Sequence, residues 1–360
     1  MKRICFIIND ISMSGGLDRV NAALASALAE DYEVWIASLV SGGKNWYPLD
    51  PRICVQYFHK EGLRLRQAVV RLHTPLKRFI RERDFDLVVL QDFYPCIIVS
   101  PLRLLTRSKF IFCDHGALRD GRSHPTFMRR MGSILCHRTV VLTERNLEDY
   151  VSRFWVPRKK LCYIPNWIDF SLPHSENYRA DSKRILAAGR FAKEKQFDVL
   201  LRAFHRVVQK HSDWSLDLYG DGELMPQLQE LVLKLKLTEN VRLPGMCSDL
   251  LSRYGDYSMC VLSSYREGLP LVLLEAKLNR LPIVSFDIAT GPREIVRHEI
   301  DGLLVPPGNE GMLYESICRL IEDPKLRMQM SQRSHENTSQ FDRELVLAQW
   351  ENLIEELTVK

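Results

Sequence analysis

One run in the second half of the sequence sets two carboxylates eight positions apart. It follows an apolar stretch, extends from residue 263 to residue 275, and contains Glu267, Gly268 and Glu275. Gly268 allows the tight turn that leads from a strand into a helix, which places Glu275 about one turn inside that helix among apolar neighbours. Burying a carboxylate without polar partners costs free energy. A ribose diol or a lysine could supply those partners, although Lys277 points elsewhere on the helix.

A second loop carries cations. Arg190 follows an apolar run directly, and Lys195 comes five residues later, just before a segment of helical period. Both would lie beside the amino end of a helix, where the helix dipole also favours negative charge. The pattern predicts a diphosphate site, while a local salt bridge of Arg190 and a solvated Lys195 would account for it equally well.

A third loop contains the glycine pair Gly15 and Gly16, directly before the helix led by Asp18. Paired glycines let a ligand approach the backbone and leave N–H groups open to a phosphate. The loop lacks the full Gly-x-Gly-x-x-Gly spacing, and no Walker lysine follows it. These absences argue against a nicotinamide-dependent dehydrogenase and against a P-loop nucleotide hydrolase.

The elements that must position these loops alternate regularly. Short apolar runs alternate with segments of helical period, a rhythm typical of parallel sheets with crossover helices. A polar, turn-rich segment at 170–182 interrupts the alternation, which restarts at 183. We predict an α/β protein with two doubly wound, Rossmann-like domains, at 1–170 and 171–340, facing a central cleft where ligands bind. A final helix at 341–360 is predicted to pack back across both domains.

Composition and cysteine usage define the class of protein. The 360 residues are 46% apolar and 26% charged, as in globular proteins, and no apolar run is long enough for a signal peptide or a membrane span. The nine cysteines form no Cys-x-x-Cys pair. We interpret them as buried, reduced thiols and predict a cytoplasmic protein.

Positive charge is concentrated in the first half. Residues 1–170 carry 26 Lys and Arg against 17 Asp and Glu. The densest part is a predicted amphipathic helix with seven basic residues, namely Arg64, Arg66, Arg71, Lys77, Arg78, Arg81 and Arg83. This helix is either a solvated surface or a site of contact with anionic lipid headgroups. Nucleic acid is excluded as a partner, because no recognised nucleic-acid-binding motif accompanies the charge.

Taken together and in this order, the motifs resemble those of glycosyltransferase family 4, retaining enzymes of the GT-B fold that use nucleotide sugars. The run from Glu267 to Glu275 resembles the Glu-x7-Glu signature of the family. The glycine and cation loops, the Gly220–Gly222 turn and the segment 165–169 resemble its other motifs. The chain departs from the commonest pattern at Leu269 and Pro270, where many members read Phe-Gly. Members with a run like 286–294 often assemble bacterial surface polysaccharides such as O-antigens.

The resemblance implies roles for individual residues in binding the donor diphosphate. Arg190 and Lys195 would neutralise the leaving diphosphate, and Gly16, in the loop with Gly15, would approach it from the first domain. The fixed cations would lower the barrier by stabilising the negative charge of the departing group. No metal ion or other cofactor is then expected, and Asp84-Phe85-Asp86 is interpreted as a strand cap rather than a metal motif.

Other residues would hold the ribose and the transferred sugar. By the same resemblance, Glu275 would bind the ribose hydroxyls and Glu267 the donor sugar. His115, in the loop after the predicted strand 109–113, would lie near the reacting sugar, although a histidine at such a place is often structural. The remaining contacts would come from the backbone of Gly268, Leu269, Pro270 and Leu271.

The predicted activity is transfer, with retention, of a hexose or N-acetylhexosamine from a UDP-sugar to a saccharide or lipid-linked acceptor in bacterial surface polysaccharide biosynthesis. The acceptor would be carried on polyprenyl diphosphate, and the enzyme would be peripheral on the inner face of the cytoplasmic membrane. Two alternatives stay open. One is a sugar-nucleotide epimerase or hydrolase on the same frame, and the other is a non-catalytic, membrane-associated protein that senses nucleotide.

Overall fold

The computed structural model describes residues 1–40, 43, 45–60, 65–116, 124–172, 174–175 and 178–359. Of the predicted basic helix, Arg64 and the side chain of Arg66 lie outside this part, as do residues 173, 176 and 177 of the turn-rich segment. The chain divides into two compact units. The first unit contains residues 1–166 and 344–360, and the second contains residues 167–343.

The first unit is built on a seven-stranded parallel sheet in the order β3-β2-β1-β4-β5-β6-β7. Its central strands are buried on both faces, which explains their nearly continuous apolar sequences. The strands are β1 (Arg3–Ile8), β2 (Glu33–Ser38), β3 (Cys54–Tyr57), β4 (Leu87–Gln91), β5 (Lys109–Asp114), β6 (Arg138–Val141) and β7 (Leu161–Tyr163). The helices before the second unit are α1 (Gly16–Leu28), α2 (Leu65–Arg83), α3 (Phe93–Val99), α4 (His124–Leu135) and α5 (Glu144–Ser152).

The second unit contains a six-stranded parallel sheet in the order β10-β9-β8-β11-β12-β13. The apolar stripe of one long crossover helix, with Phe197, Leu200 and Phe204, is buried in its core. The strands are β8 (Arg184–Ala188), β9 (Ser215–Tyr219), β10 (Val241–Gly245), β11 (Met259–Leu262), β12 (Ile283–Phe286) and β13 (Gly302–Val305). The helices are α6 (Phe197–Lys210), α7 (Met225–Lys234), α8 (Leu250–Arg253), α9 (Leu271–Leu278), α10 (Pro292–Ile295), α11 (Glu310–Glu322) and α12 (Pro324–Gln332).

The prediction of two doubly wound α/β sheets is confirmed. One strand was missed, the edge strand β3, whose four residues alternate between exposed and half-buried positions and so lack the apolar run of a central strand. Cys54 at its start is exposed, contrary to the expectation of buried thiols, whereas Cys5 and Cys113 are buried. All nine cysteines lie in the described part of the chain and are free thiols.

The C-terminal helix, α13 (Arg343–Thr358), completes the first unit. The predicted apolar stripe of Val346, Trp350, Leu353 and Leu357 is buried. Polar contacts continue along the helix, since Tyr32 Oη donates to Glu355 Oε1 at 3.3 Å. Within the residues described, no helix has both the length and the apolar character that crossing a bilayer requires.

The second unit also contains a completely buried ion pair. Lys277 on α9 and Asp301 just before β13 both have 0% exposed side chains, and Lys277 Nζ lies 2.7 Å from Asp301 Oδ1. Arg297 approaches the other carboxylate oxygen at 2.7 Å. Burial lowers the pKa of Lys277 to about 8, against the opposing effect of Asp301. Lys277 therefore faces away from any site that contains Glu275.

Removing one partner of this pair should destabilise the protein strongly. In an Asp301→Leu variant the Lys277 charge stays buried without its counterion, so we expect a loss of about 3–5 kcal/mol in the free energy of unfolding. The double variant with Lys277→Met removes both charges and should lose much less. Urea unfolding followed by circular dichroism measures both values, and equal losses in the two variants would contradict the pairing.

Candidate functional site

The structure brings the cation loop and the Glu-x7-Glu run together. Lys195 ends a short 3-10 turn after β8, and Glu267 lies in the loop between β11 and α9. Lys195 Nζ donates to Glu267 Oε1 at 2.6 Å, and Ser264 Oγ donates to the same oxygen at 2.6 Å. The side chains of Lys195 and Glu267 are only 18% and 11% exposed. The idea of a solvated Lys195 is therefore wrong, because its ammonium is partly buried and paired.

Backbone contacts hold these two loops in place. Ser263 Oγ donates to the carbonyl oxygen of Lys195 at 2.8 Å. The backbone N–H of Tyr265 donates to the carbonyl oxygen of Glu194 at 3.0 Å. Both loops follow strands that are neighbours in the sheet, β8 and β11. The carboxyl ends of adjacent parallel strands lie at one edge, where such folds bind ligands.

Arg190 takes a different environment from Lys195. Its Nη2 donates to Glu194 Oε1 at 2.6 Å, and its side chain is 72% exposed. This is the local salt bridge that the sequence left open as an alternative. Arg190 would have to exchange Glu194 for a phosphate in order to bind one, and an exposed ion pair of this kind stabilises its geometry by only about 1 kcal/mol or less.

The Gly220–Gly222 turn supports the loop of Arg190. Gly189 N–H donates to the carbonyl of Tyr219, and Phe191 N–H donates to that of Asp221 at 2.8 Å. A Cβ atom at Gly220, where φ is +142°, would lie 1.9 Å from the carbonyl oxygen of Gly189. Only glycine permits this close approach.

Glu275 is half-buried on α9 and has a partner that sequence reasoning missed. Tyr254 Oη donates to Glu275 Oε2 at 2.5 Å, and the Tyr254 side chain is completely buried. Tyr254 begins a 3-10 turn before β11. A single tyrosine outside any motif gives no signal in the sequence, so its position could be found only in the folded chain.

The predicted backbone site at Gly268, Leu269, Pro270 and Leu271 forms the entry to α9. Pro270 is the N-cap and Leu271 the first helical residue, so amide groups of the first turn point out of the helix amino end. The segment 286–294 braces this entry, because Thr290 Oγ1 donates to the carbonyl of Glu267. Two stretches singled out in the sequence are therefore in contact.

In the first unit, the glycine loop is rich in carboxylates. Helix α1 begins at Gly16, and the N–H of Gly15 donates to Asp18 Oδ2 at 3.1 Å. The prediction that this N–H is open to a phosphate is therefore wrong. The pKa of Asp18 is raised to about 6, mainly by burial and in addition by the charges of Asp10 and Asp92, while the hydrogen bond from the Gly15 N–H acts in the opposite direction. An anion could approach this loop more easily when Asp18 is protonated.

His115 lies one residue beyond β5 in the first unit. Its Nε2 lies 2.7 Å from Oε1 of Gln91, the last residue of β4. Burial lowers the pKa of His115 to about 4, although the charge of Asp114 acts in the opposite direction. The imidazole is therefore neutral at physiological pH.

One group of potential metal ligands occurs elsewhere in the second unit. His211, Cys318 and Glu322 each offer a ligand atom, and these atoms lie within 4.8 Å of one another. Lys210 Nζ donates to Glu322 Oε1, so an ammonium already neutralises this carboxylate. His211 directly follows α6, and Cys318 and Glu322 lie on α11. None of the three belongs to the predicted donor site.

The raised pKa of Asp18 predicts a pH dependence of stability. The pKa of Asp18 is about 6 in the folded protein and 3.8 in the ordinary case. Between these values the folded protein keeps a proton that the unfolded chain loses. The free energy of unfolding therefore decreases as pH rises from about 4 to about 6. An Asp18→Asn variant should lack this decrease, on the order of 1 kcal/mol after solvent screening. Urea unfolding at several pH values measures it, with Asp31→Asn at an exposed position as control. Identical slopes for Asp18→Asn and the native chain would contradict the assignment.

Comparison with known proteins shows the family of both halves of the chain. Residues 171–337 match the family described as "Glycosyl transferases group 1", and residues 14–172 match "Glycosyltransferase Family 4". The amylovoran biosynthesis glycosyltransferase AmsD of Erwinia amylovora is 28% identical over 98% of this chain and 100% of its own. An N-acetylgalactosaminyltransferase of Campylobacter jejuni, named for a saccharide on diphospho-undecaprenol, is 23% identical over 99% of both chains.

A solved structure shares the fold. A mutant of TarM from S. aureus, crystallised with fondaparinux, α-GlcNAc-glycerol and UDP, superposes with a TM-score of 0.82 at 13% identity, over 98% of this chain and 100% of its own. This likeness confirms the predicted fold class. With both halves of its sequence matched and its two parallel sheets of the GT-B type, the chain belongs to glycosyltransferase family 4.

Proposed function

We propose that this glycosyltransferase transfers a hexose or N-acetylhexosamine, with retention, from a UDP-sugar to a saccharide acceptor carried on polyprenyl diphosphate. The ion pair of Lys195 with Glu267 carries this proposal, because it joins a cation suited to the diphosphate to a carboxylate suited to sugar hydroxyls. The relatives in E. amylovora and C. jejuni, by their names, support surface polysaccharide assembly and a lipid-linked acceptor. The UDP in TarM supports the choice of nucleotide.

The proposed chemistry follows from where charge develops. As the bond from the anomeric carbon to the diphosphate oxygen breaks, the sugar gains oxocarbenium character and the leaving UDP gains negative charge. Lys195 would turn from Glu267 to the diphosphate, joined by Arg190 and by the amide groups at the amino end of α9. Once the donor is bound, these positively charged and dipolar groups are in place before the bond breaks, and they stabilise the transition state without further reorganisation. We expect neither a metal ion nor a cofactor to be needed.

Glu267 and Glu275 would serve different parts of the donor. When Lys195 binds the diphosphate, Glu267 keeps the hydrogen bond from Ser264 and gains capacity to accept one from a sugar hydroxyl. Glu275 would accept hydrogen bonds from the ribose diol, with Tyr254 fixing one carboxylate oxygen. Tyr254 is thus proposed as a positioning residue for Glu275.

Loss of either cation should abolish transfer without unfolding the protein. Lys195→Ala and Arg190→Ala each remove positive charge from the proposed diphosphate site, and we expect a fall in kcat/KM of at least about 100-fold. Lys193→Ala, an exposed lysine in the same loop, is the matched control. Transfer from a UDP-sugar to a polyprenyl-diphosphate-linked saccharide is measured by product mass. Full activity in both variants would exclude the diphosphate assignment.

The same assay separates the two alternatives. A sugar-nucleotide epimerase or hydrolase would consume the UDP-sugar at an undiminished rate without acceptor. A binding protein that senses nucleotide would bind UDP but never release it from a UDP-sugar. A transferase releases UDP in step with glycosylated acceptor.

We further propose that the first unit contacts an anionic membrane surface. On α2, Arg71, Arg78 and Arg81 are exposed, and each basic group near a charged leaflet contributes about 1 kcal/mol. The same unit exposes large apolar side chains, with Phe127 57% and Trp155 69% exposed. Aromatic groups of this kind favour the interface between headgroups and acyl chains.

Removing these charges should weaken attachment to vesicles. In a triple variant, Arg71, Arg78 and Arg81 are all changed to Gln. Its partition coefficient onto phosphatidylglycerol vesicles should be lower than that of the native protein by on the order of 100-fold. The matched control changes the same three residues to Lys, which keeps the charge. Cosedimentation measures the bound fraction. Equal binding of the Gln and native proteins would remove α2 from the proposed membrane contact.

A further inference from the structure

Gln91 is an unusual residue for its position. It ends β4, a central strand whose other four residues are Leu87, Val88, Val89 and Leu90, and it is only 1% exposed. A leucine here would avoid the cost of burying an amide, which reaches about 1–3 kcal/mol for each unsatisfied polar group. Among the described residues, Gln91 Nε2 has no hydrogen-bond partner. The amide therefore lowers stability at this position and calls for another explanation.

The amide oxygen of Gln91, Oε1, contacts His115. Gln91 pairs with Cys113 across the parallel ladder, and His115 follows two residues later. The distance from His115 Nε2 to Gln91 Oε1 is 2.7 Å. An amide oxygen only accepts hydrogen bonds, so Nε2 must carry the proton and the lone pair of the neutral ring lies on Nδ1.

The charged groups near the His115 ring have other partners. The Asp114 carboxylate is completely buried and accepts hydrogen bonds from Tyr150 Oη at 2.5 Å and from the N–H of Gly116 at 3.1 Å. Arg129 Nε lies 3.0 Å from Asp114 Oδ2. The charge of Asp92, next to Gln91, acts on Asp114.

Burial thus prevails over these charges. It lowers the pKa of His115 to about 4, so the ring stays neutral although Asp114 precedes it in the chain. A neutral imidazole has one donor and one acceptor nitrogen. The donor nitrogen, Nε2, is the one that is hydrogen-bonded to Gln91 Oε1.

We propose that Gln91 is a positioning residue that holds His115 in its Nε2–H tautomer, so that Nδ1 accepts a hydrogen bond from a hydroxyl of a sugar substrate. This inference rests on the proposed function, in which the substrates carry sugar hydroxyls. It makes His115 a neutral acceptor rather than a general acid or base. A fixed tautomer also keeps the ring oriented before the sugar arrives, which lowers the cost of binding it in the reactive position.

Two variants separate positioning from a structural role. Gln91→Met keeps the side-chain length and removes the acceptor, and we expect kcat to fall about tenfold or more with the Kd for UDP unchanged. Gln91→Glu keeps an acceptor and adds negative charge, which should raise the pKa of His115. Its transfer rate should approach the native value above pH 8 and fall at lower pH as Nδ1 becomes protonated. The native enzyme should show no such fall from His115 between pH 6 and 9.

A spectroscopic measurement tests the inference without relying on activity. The ¹⁵N shifts of the imidazole, assigned by comparison with His115→Asn, should give the Nε2–H tautomer in the native protein and a mixture in Gln91→Met. An Nδ1–H tautomer in the native protein, native kcat in Gln91→Met, or a native pH profile in Gln91→Glu would each overturn the inference. Absence of sugar transfer by the native protein would instead overturn the proposed function and leave the tautomer result standing.

Discussion

The contact between Lys195 and Glu267 is the interaction on which the rest of the second unit's site depends. It ties the loop after β8 to the loop after β11, and the hydrogen bonds of Ser263 and Tyr265 hold the same two loops. A partly buried ammonium and carboxylate satisfy each other while no ligand is bound, which avoids the cost of an isolated buried charge. An anion that attracts Lys195 also releases the Glu267 carboxylate. That carboxylate can then accept a hydrogen bond from a neutral hydroxyl. One ion pair can thus couple two halves of a donor.

The two units offer opposite electrostatic environments at the ends of their strands. The second unit presents Arg190 and Lys195 before α6, whereas the glycine loop of the first unit presents Asp18 with Asp10 and Asp92 nearby. A diphosphate is suited to the former and poorly suited to the latter while Asp18 is ionised. The glycine loop therefore gives close backbone approach more than charge stabilisation.

The sequence predicted the two sheets and the position of Arg190 and Lys195 in a loop after a strand, because both depend on local pattern. Buried parallel strands require apolar runs, and their carboxyl ends are shared by geometry, so residues after β8 and β11 had to lie near one another. The partners Tyr254 and Gln91 were not found, since a single tyrosine or glutamine has no spacing to recognise. The orientation of Arg190 toward Glu194 was undecided for a different reason. A long exposed side chain chooses among partners by small energies that sequence does not encode.

The return of α13 to the first unit has a consequence for how the chain acquires its structure. Residues 167–343 can complete their own sheet and core while the seven-stranded sheet still lacks the helix that contributes Trp350 and Leu353. During synthesis from the amino end, the later unit is therefore free to become native before the earlier one is finished. A chain interrupted shortly after residue 343 would contain one intact half and one with a bare apolar groove, a species prone to aggregate or to be degraded.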